Sequence, residues 1–261
     1  MRRLGTVAFR SAVGLTVIFL LAPALVVVAM SFSDTAYLSF PPEGLGLRAY
    51  RSLLSSDLWG PVTLRSLVIA LPVALLAVGA ATLLVIGLAR TRLPYKNVLV
   101  AFSTLPLLVP GVALAVAVYG LLARLRILDT YLGIILAHAV TTLPLAVLIL
   151  WPAIRAISSD LELAAMTLGA RRARAWWDTT VRLLGPSVGA AMITVFLTSF
   201  DEAVLVSFIS GPQTTTLPKA ILDSVTTGLD PTITAIATLL ILLTAVLMAA
   251  GEALRRRSER R

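Results

Sequence analysis

The chain has 261 residues, of which 58% are hydrophobic and 13% charged, and its formal net charge is +9. This composition is far more apolar than a soluble core of this size could bury, so it predicts a membrane protein. Cysteine is absent and histidine occurs once, which excludes disulfides, thiolate chemistry and multi-histidine metal sites. The basic residues lie in short clusters between apolar runs, which favours membrane topology over nucleic-acid binding as the reason for the charge.

Six apolar runs follow one another along the chain, each long enough for a bilayer-spanning helix of roughly 20 residues. Unbroken apolar runs are typical of helices rather than of the alternating strands of a membrane barrel. We therefore predict an all-α, polytopic membrane protein with six transmembrane helices. The predicted spans are Val7 to Met30, Leu64 to Ala89, Asn97 to Leu122, Tyr131 to Ile154, Leu183 to Ile209 and Thr232 to Ala250.

The distribution of Lys and Arg predicts the orientation, because cytoplasmic loops are enriched in both. Placing both termini in the cytoplasm puts most of the 22 basic residues on the inner side. The first run could instead be a cleaved signal peptide, since Arg2 and Arg3 precede it, but its apolar core exceeds the roughly 7 to 15 residues typical of such peptides. The outer loop of residues 31–65 contains an amphipathic stretch from Leu47 to Leu58.

Prolines recur inside the predicted spans, and each removes a helix hydrogen bond, so kinks are expected. Membrane helices tolerate proline where neighbours satisfy the freed carbonyls, while a bundle that rocks between two states would use the same kinks. The prolines concerned are Pro23, Pro72, Pro106, Pro110, Pro144, Pro152 and Pro186.

A short helix with marked ends is predicted between the fourth and fifth spans. Ser159 and Glu162 have the spacing of a capping box, Asp160 lies in the first turn, and Gly169 can adopt the left-handed conformation that closes a helix. Leucines and an Ala164-Ala165 pair give the helix a compact apolar face suited to packing against another protein. An amphipathic linker lying at the inner membrane face is the alternative.

This segment resembles the cytoplasmic EAA loop of ABC importer permeases, in which Glu-Ala-Ala, three variable residues and Gly precede the fifth helix. The corresponding positions are Leu163-Ala164-Ala165 and Gly169, so leucine replaces the family's glutamate. In that family the helix docks in a groove of a separate ATPase subunit and transmits its closure. The resemblance implies an ATPase-coupling role for Ser159, Asp160, Leu161, Glu162, Leu163, Ala164, Ala165, Leu168, Gly169, Ala170 and Arg171.

No phosphate-binding loop is present in the sequence. Such a loop needs Gly-Lys-Ser/Thr, whereas the lysines here are Lys96 after Tyr95 and Lys219 after Pro218. We therefore expect no cofactor on this chain and no enzymatic activity of its own, with ATP and Mg²⁺ bound by a partner ATPase.

Phe200-Asp201-Glu202 places two carboxylates inside the fifth apolar run. A charge near the bilayer centre costs roughly 2.5 to 3.5 kcal/mol, so such acids tend to face a watery cavity and mark a substrate or ion path. Neighbours on a helix point about 100° apart, so both face one cavity only if it is wide or the helix is locally broken. A buried salt bridge or a position near the outer interface is the alternative.

The surrounding segments, Ser199 to Val204, Phe208 to Pro212 and Thr216 to Pro218, resemble spermidine/putrescine-type permeases. The resemblance implies a type I, MetI-like permease domain over residues 1–261, with a cytoplasmic coupling loop at 155–182 and Phe200, Asp201 and Glu202 on the substrate path. It also implies a bacterial inner membrane location, a second permease subunit and an extracytoplasmic binding protein. The resemblance further implies import of a small cationic solute, a polyamine such as spermidine or putrescine, by ATP-driven alternating access. Members of the same subgroup carry other small solutes, which are the alternative.

Two further readings remain from the residues alone. An ion-coupled carrier acting alone would use Asp201 or Glu202 as its ion site, and a membrane enzyme would need a catalytic constellation that the sequence does not supply.

His138 is expected to have a hydrogen-bonded packing role rather than to relay protons. Arg255 to Arg261 are expected to anchor the last helix on anionic lipid headgroups, with no nucleic acid as partner.

Overall fold

Helices form nearly all of the regular structure of the chain. The structure, a computed structural model, describes residues 2–91, 93–227 and 230–259, with side chains for residues 9–91, 93–227 and 230–252. Within those residues the β contact is an isolated antiparallel bridge between Ser33 and Leu45. The predicted all-α fold is confirmed. The side chains of Arg255 to Arg261, the predicted lipid anchor, lie outside the described part.

Five helical stretches among the described residues are long and apolar enough to cross a membrane. They are Phe9–Ser31, Trp59–Arg90, Tyr131–Ala156, Arg172–Phe200 and Thr232–Glu252. The helices are α1 (Arg2–Ser31), α2 (Arg48–Ser55), α3 (Trp59–Arg90), α4 (Lys96–Ser103), α5 (Gly111–Leu125), α6 (Tyr131–Ala156), α7 (Asp160–Thr167), α8 (Arg172–Trp176), α9 (Arg182–Phe200), α10 (Val204–Ile209), α11 (Leu217–Thr227) and α12 (Thr232–Glu259).

The third predicted span is not one continuous helix. Its residues form α4, a 3-10 turn at Leu105–Leu108 and then α5, with Pro106 in the turn and Pro110 directly before α5. Proline lacks the amide hydrogen that an α-helix needs, so two prolines this close interrupt the hydrogen-bond ladder. With 15 residues, α5 is about 22 Å long, which is short of a bilayer core of about 30 Å. The prediction of one helix from Asn97 to Leu122 is wrong, and the count of six spans is not confirmed.

The chain divides into two compact units. The first comprises residues 1–60 and 221–245. In it the predicted amphipathic stretch forms α2, where the hydroxyls of Tyr50 and Ser31 lie 2.8 Å apart and the rings of Tyr50 and Phe32 have centroids 5.5 Å apart.

The second unit comprises residues 61–220 and 246–261 and contains the candidate site. Its core is apolar: Val85 of α3, Leu150 of α6 and Val195 of α9 are fully buried members of one hydrophobic cluster. In a bilayer, contacts of this kind are stabilised by close van der Waals packing rather than by the removal of apolar surface from water. The three helices therefore form a packed frame whose ends carry polar groups.

Candidate functional site

The predicted coupling segment contains a short helix, α7, with a well-formed C-terminal end. Gly169 has φ of +91°, its amide donates to the carbonyl of Met166, and the amide of Ala170 donates to the carbonyl of Ala165 at 3.1 Å. This pair of hydrogen bonds is a Schellman motif, which needs a left-handed residue and therefore favours glycine. The predicted role of Gly169 as the helix terminator is confirmed.

The N-terminal end of α7 differs from the prediction. Ser159 makes no side-chain capping hydrogen bond, and the hydroxyl of Ser158 instead accepts from the amide of Asp160 at 3.1 Å. The carboxylate of Glu162 turns away from the helix end and pairs with Arg90. The predicted capping box is wrong, because a basic partner from another helix competes successfully for the carboxylate.

The leucines of the coupling segment are exposed. Leu161, Leu163 and Leu168 have 45%, 55% and 89% of their surface accessible, and Ala164 is also exposed. Leu161, Ala164 and Leu168 follow the three- and four-residue spacing of one helix face. Three exposed leucines within eight residues are unusual for a solvated loop and typical of a surface that contacts another protein or the membrane.

Glu162 belongs to a polar cluster that joins three elements. The Arg90 guanidinium at the end of α3 lies 2.8 Å from the Glu162 carboxylate and donates to the Thr180 hydroxyl at 2.9 Å. The Thr180 hydroxyl donates in turn to Glu162. Thr180 is fully buried in a π turn, Trp177–Val181, that joins α8 to α9. Sequence reasoning missed Arg90 and Thr180, since neither lies near Glu162 in the chain.

The acidic pair lies at a break in the chain rather than inside a continuous helix. Helix α9 ends at Phe200, and α10 begins at Val204, so Asp201 and Glu202 occupy the non-helical residues between them. The prediction of one helix from Leu183 to Ile209 is wrong. The local break is one of the two arrangements that let adjacent carboxylates face the same space.

The three predicted path residues have different environments. Phe200 is buried and its ring stacks on Phe196, with centroids 5.7 Å apart. Glu202 is half-buried and its carboxylate accepts from the amide of Leu205 at 2.9 Å, which satisfies one of the free amides in the first turn of α10. Asp201 is exposed and has no ion pair among the described residues. Of the three, Asp201 alone presents a free carboxylate.

His138 of α6 is buried in the core and contacts the last turn of α9. Its Nδ1 and the hydroxyl of Ser199 are 2.9 Å apart, and both residues are buried. The hydrogen bond links α6 to α9 two residues before Asp201. The Nε2 atom of His138 is also buried and has no hydrogen-bond partner among the described residues, so the packing role stays a prediction supported by the Nδ1 contact.

A clamp that sequence reasoning missed lies where the loop before α6 meets the loop after α10. The Asp129 carboxylate accepts from the amide of Gly211 at 2.8 Å and from the hydroxyl of Thr214 at 2.6 Å, and the amide of Asp129 donates to the carbonyl of Ile209 at 3.1 Å. We call Asp129, Gly211 and Thr214 the loop clamp. It fixes the segment that follows the acidic break.

The electrostatics of the loop clamp favour the carboxylate form. Desolvation by itself would raise the pKa of Asp129, but hydrogen bonds from Thr214, Gly211 and Gln213 outweigh it and lower that pKa. A lowered pKa in the folded protein means that the contribution to stability is present above the ordinary aspartate range and is lost only as the pH falls through the lower, folded value. The clamp is therefore intact at neutral and mildly acidic pH.

The sequence of the chain matches, over residues 77–260, the family described as "Binding-protein-dependent transport system inner membrane component". The chain belongs to this family. It is thus a transport permease of the inner membrane, and in this kind of system ATP hydrolysis is carried by separate ATPase subunits.

Relatives of this permease are named for different solutes. It is 30% identical over 230 residues to the putrescine transport system permease protein PotI of Escherichia coli strain K12, covering 85% of this chain and 82% of that protein. It is 28% identical over 211 residues to the trehalose transport system permease protein SugB of Mycobacterium tuberculosis strain CDC 1551 / Oshkosh, covering 79% and 77%.

A solved structure confirms the fold of the permease. The crystal structure of a bacterial ABC transporter involved in the import of the acidic polysaccharide alginate matches with a TM-score of 0.75, over 99% of this chain and 96% of that one. The two sequences are 14% identical, so the likeness establishes the MetI-like permease fold.

The loop clamp gives a first prediction, for Gly211→Ala. A Cβ on Gly211 would overlap the Asp129 carboxylate, so the carboxylate must move and its hydrogen bonds are lost. We expect the purified permease to lose about 1 to 3 kcal/mol of stability, seen as a lower midpoint of thermal unfolding. Gly120→Ala is the matched control, because nothing lies within 4 Å of a Cβ there. Equal midpoints for the two variants would show that the clamp has no stabilising role.

Proposed function

We propose that this permease is one subunit of an ATP-driven importer that carries a small cationic solute, a polyamine such as putrescine or spermidine, across the bacterial inner membrane. The polyamine assignment is supported by the similarity to PotI over 85% of the chain. The structural observation that carries it is the exposed carboxylate of Asp201 at the break between α9 and α10.

A free carboxylate at this position suits a cationic solute. An ammonium group offers such a carboxylate both an opposite charge and hydrogen-bond donors. Glu202 is partly engaged by the amide of Leu205, and Phe200 is packed against Phe196. In this proposal Asp201 contacts the solute, while Phe200 and Glu202 hold the break in place.

The energy for transport comes from a partner in this proposal. The segment Ser159 to Ala170 docks on an ATPase subunit through its exposed leucines, and ATP and Mg²⁺ bind there rather than on this chain. A second permease subunit completes the path, and an extracytoplasmic binding protein delivers the solute. Alternating access then follows from the docking and release of the ATPase subunits.

A different small solute is the second candidate, because SugB is named for trehalose. The native complex in detergent distinguishes the two through its rate of ATP hydrolysis. We expect stimulation by the binding protein loaded with putrescine or spermidine and no stimulation by trehalose. If trehalose stimulates ATP hydrolysis and neither polyamine does, the assignment as an ATP-driven importer stands and the polyamine assignment is wrong.

The orientation, with both termini in the cytoplasm, can be tested on this chain because it contains no cysteine. Tyr95 and Leu54 are 72% and 88% exposed, and the proposal places them on opposite sides of the membrane. We expect a membrane-impermeant maleimide to label Leu54→Cys in intact spheroplasts and Tyr95→Cys only after the membrane is opened. The reverse pattern would invert the topology.

A further inference from the structure

The cluster of Arg90, Glu162 and Thr180 connects the coupling segment to the membrane helices. Arg90 is the last residue of α3, Glu162 lies in α7 and Thr180 lies in the π turn before α9. The Arg90 guanidinium also lies 3.5 Å from the carbonyl of Ile157, which follows α6. The Arg90 guanidinium, at the end of α3, thus contacts the residue after α6, the coupling helix and the turn before α9.

This cluster is shielded from water. The side chains of Arg90 and Glu162 are 22% and 19% exposed, and Thr180 is fully buried. Charge-assisted hydrogen bonds in such a setting are shorter and stronger than exposed ones, whereas fully exposed ion pairs contribute little. An exposed pair is available nearby for comparison: Arg174 and Asp178 are 3.4 Å apart with side chains 80% and 56% exposed.

The helices that leave the cluster are packed as one body. Leu88 of α3, Ile154 of α6 and Leu184 of α9 lie within a turn or two of it, and all three belong to the same buried hydrophobic cluster. Packed interiors transmit displacement rather than absorb it. A displacement of the polar cluster is therefore expected to move the adjoining ends of α3, α6 and α9 together.

The two ends of α9 lie at two different candidate sites. The π turn precedes its first residue, and π turns inside helices occur frequently at functional sites. The helix then runs for 19 residues, about 28 Å, to Phe200, directly before Asp201. The fold thus places the coupling segment at one end of α9 and the candidate solute carboxylate at the other.

We propose that Arg90, Glu162 and Thr180 act as positioning residues that convert movement of the coupling helix into movement of α3 and α9. This inference rests on the proposed function, in which the segment Ser159 to Ala170 docks on an ATPase. The cluster holds the coupling helix to the ends of α3 and α9. When the ATPase closes and displaces the coupling helix, α9 and the break at Asp201 therefore move with it, and the loop does not bend.

Thr180 gives the sharpest test, because its hydroxyl can be removed with little change in shape. Thr180→Val deletes the donor to Glu162 and the acceptor for Arg90, while Thr180→Ser retains both. The assay uses the complete complex in proteoliposomes and measures putrescine transported per ATP hydrolysed, together with the ATPase that co-purifies. Arg174→Gln, which breaks the exposed pair, is the matched control.

We expect Thr180→Val to retain its ATPase and its folded yield and to transport at least about fivefold less solute per ATP, the lower end of typical coupling between sites. Arg90→Gln should show the same loss. Thr180→Ser and Arg174→Gln should behave like the unaltered complex.

Three results would overturn the inference, and they are distinguishable. Equal transport per ATP in Thr180→Val and Thr180→Ser would show that the cluster is not a linkage. Loss of folded Thr180→Val protein, or of its ATPase, would make the cluster an element of folding or docking. If the unaltered chain carries no ATPase, the proposed function itself fails, and this linkage fails with it.

Discussion

Gly169→Pro is expected to remove the ATPase from the purified permease. Gly169 has φ of +91°, whereas proline is fixed near −65°, and the substitution also deletes the amide that donates to Met166. The helix end of the coupling segment would be destabilised by about 3 kcal/mol, more than a hundredfold in an equilibrium constant. The measurement is the amount of ATPase that co-purifies with the tagged chain from its native membrane.

Two alanine variants calibrate this result. Gly169→Ala places a side chain in the left-handed region at a cost of about 1 to 2 kcal/mol, so we expect a partial loss of the ATPase. Gly185→Ala adds a Cβ inside α9 with nothing within 4 Å, so it should change nothing. Full retention of the ATPase by Gly169→Pro would show that the coupling segment is not the docking site.

Asp201→Asn is expected to lower the rate of putrescine uptake about tenfold. The amide keeps the shape of the side chain but loses its charge, and a hydrogen bond to a charged partner is worth about 1.5 to 3 kcal/mol. Asp201 has no ion pair among the described residues, so within that part of the chain its neutralisation leaves no basic side chain unpaired. The measurement is uptake of labelled putrescine by proteoliposomes that contain the full complex.

The control for charge alone is Asp57→Asn, since Asp57 is an exposed carboxylate in the loop before α3. It should leave uptake unchanged. We expect ATP hydrolysis without solute to be the same in both variants, because Asp201 lies far along α9 from the coupling segment. Unchanged uptake in Asp201→Asn would remove this carboxylate from the solute path.

Much of the fold follows from apolar run length. The predicted spans that begin at Leu64, Tyr131 and Thr232 correspond to α3, α6 and α12, because a long apolar run without close prolines has one stable form in a membrane. The interruptions were harder to predict. The pair Pro106 and Pro110 breaks the third run, whereas single prolines such as Pro72 remain inside their helices.

In the candidate site, contacts between residues close in sequence were predictable, whereas contacts between residues distant in sequence were not. Gly169 was predictable because a Schellman motif is closed by residues within one turn. Glu162 was assigned to a local cap, but its partners are Arg90 and Thr180 from other elements. The contact between Asp129 and Gly211 is equally distant in sequence. Spacing along one chain carries no signal for such pairs.

In the proposed function this permease imports a polyamine with energy from a separate ATPase. The most direct measurement is accumulation of labelled putrescine in proteoliposomes that contain the complete complex, with binding protein outside and ATP on the ATPase side. We predict accumulation that requires ATP, the binding protein and the ATPase subunit together. Accumulation by this chain alone, driven by a proton or sodium gradient and unaffected by ATP, would contradict the account and establish an ion-coupled carrier.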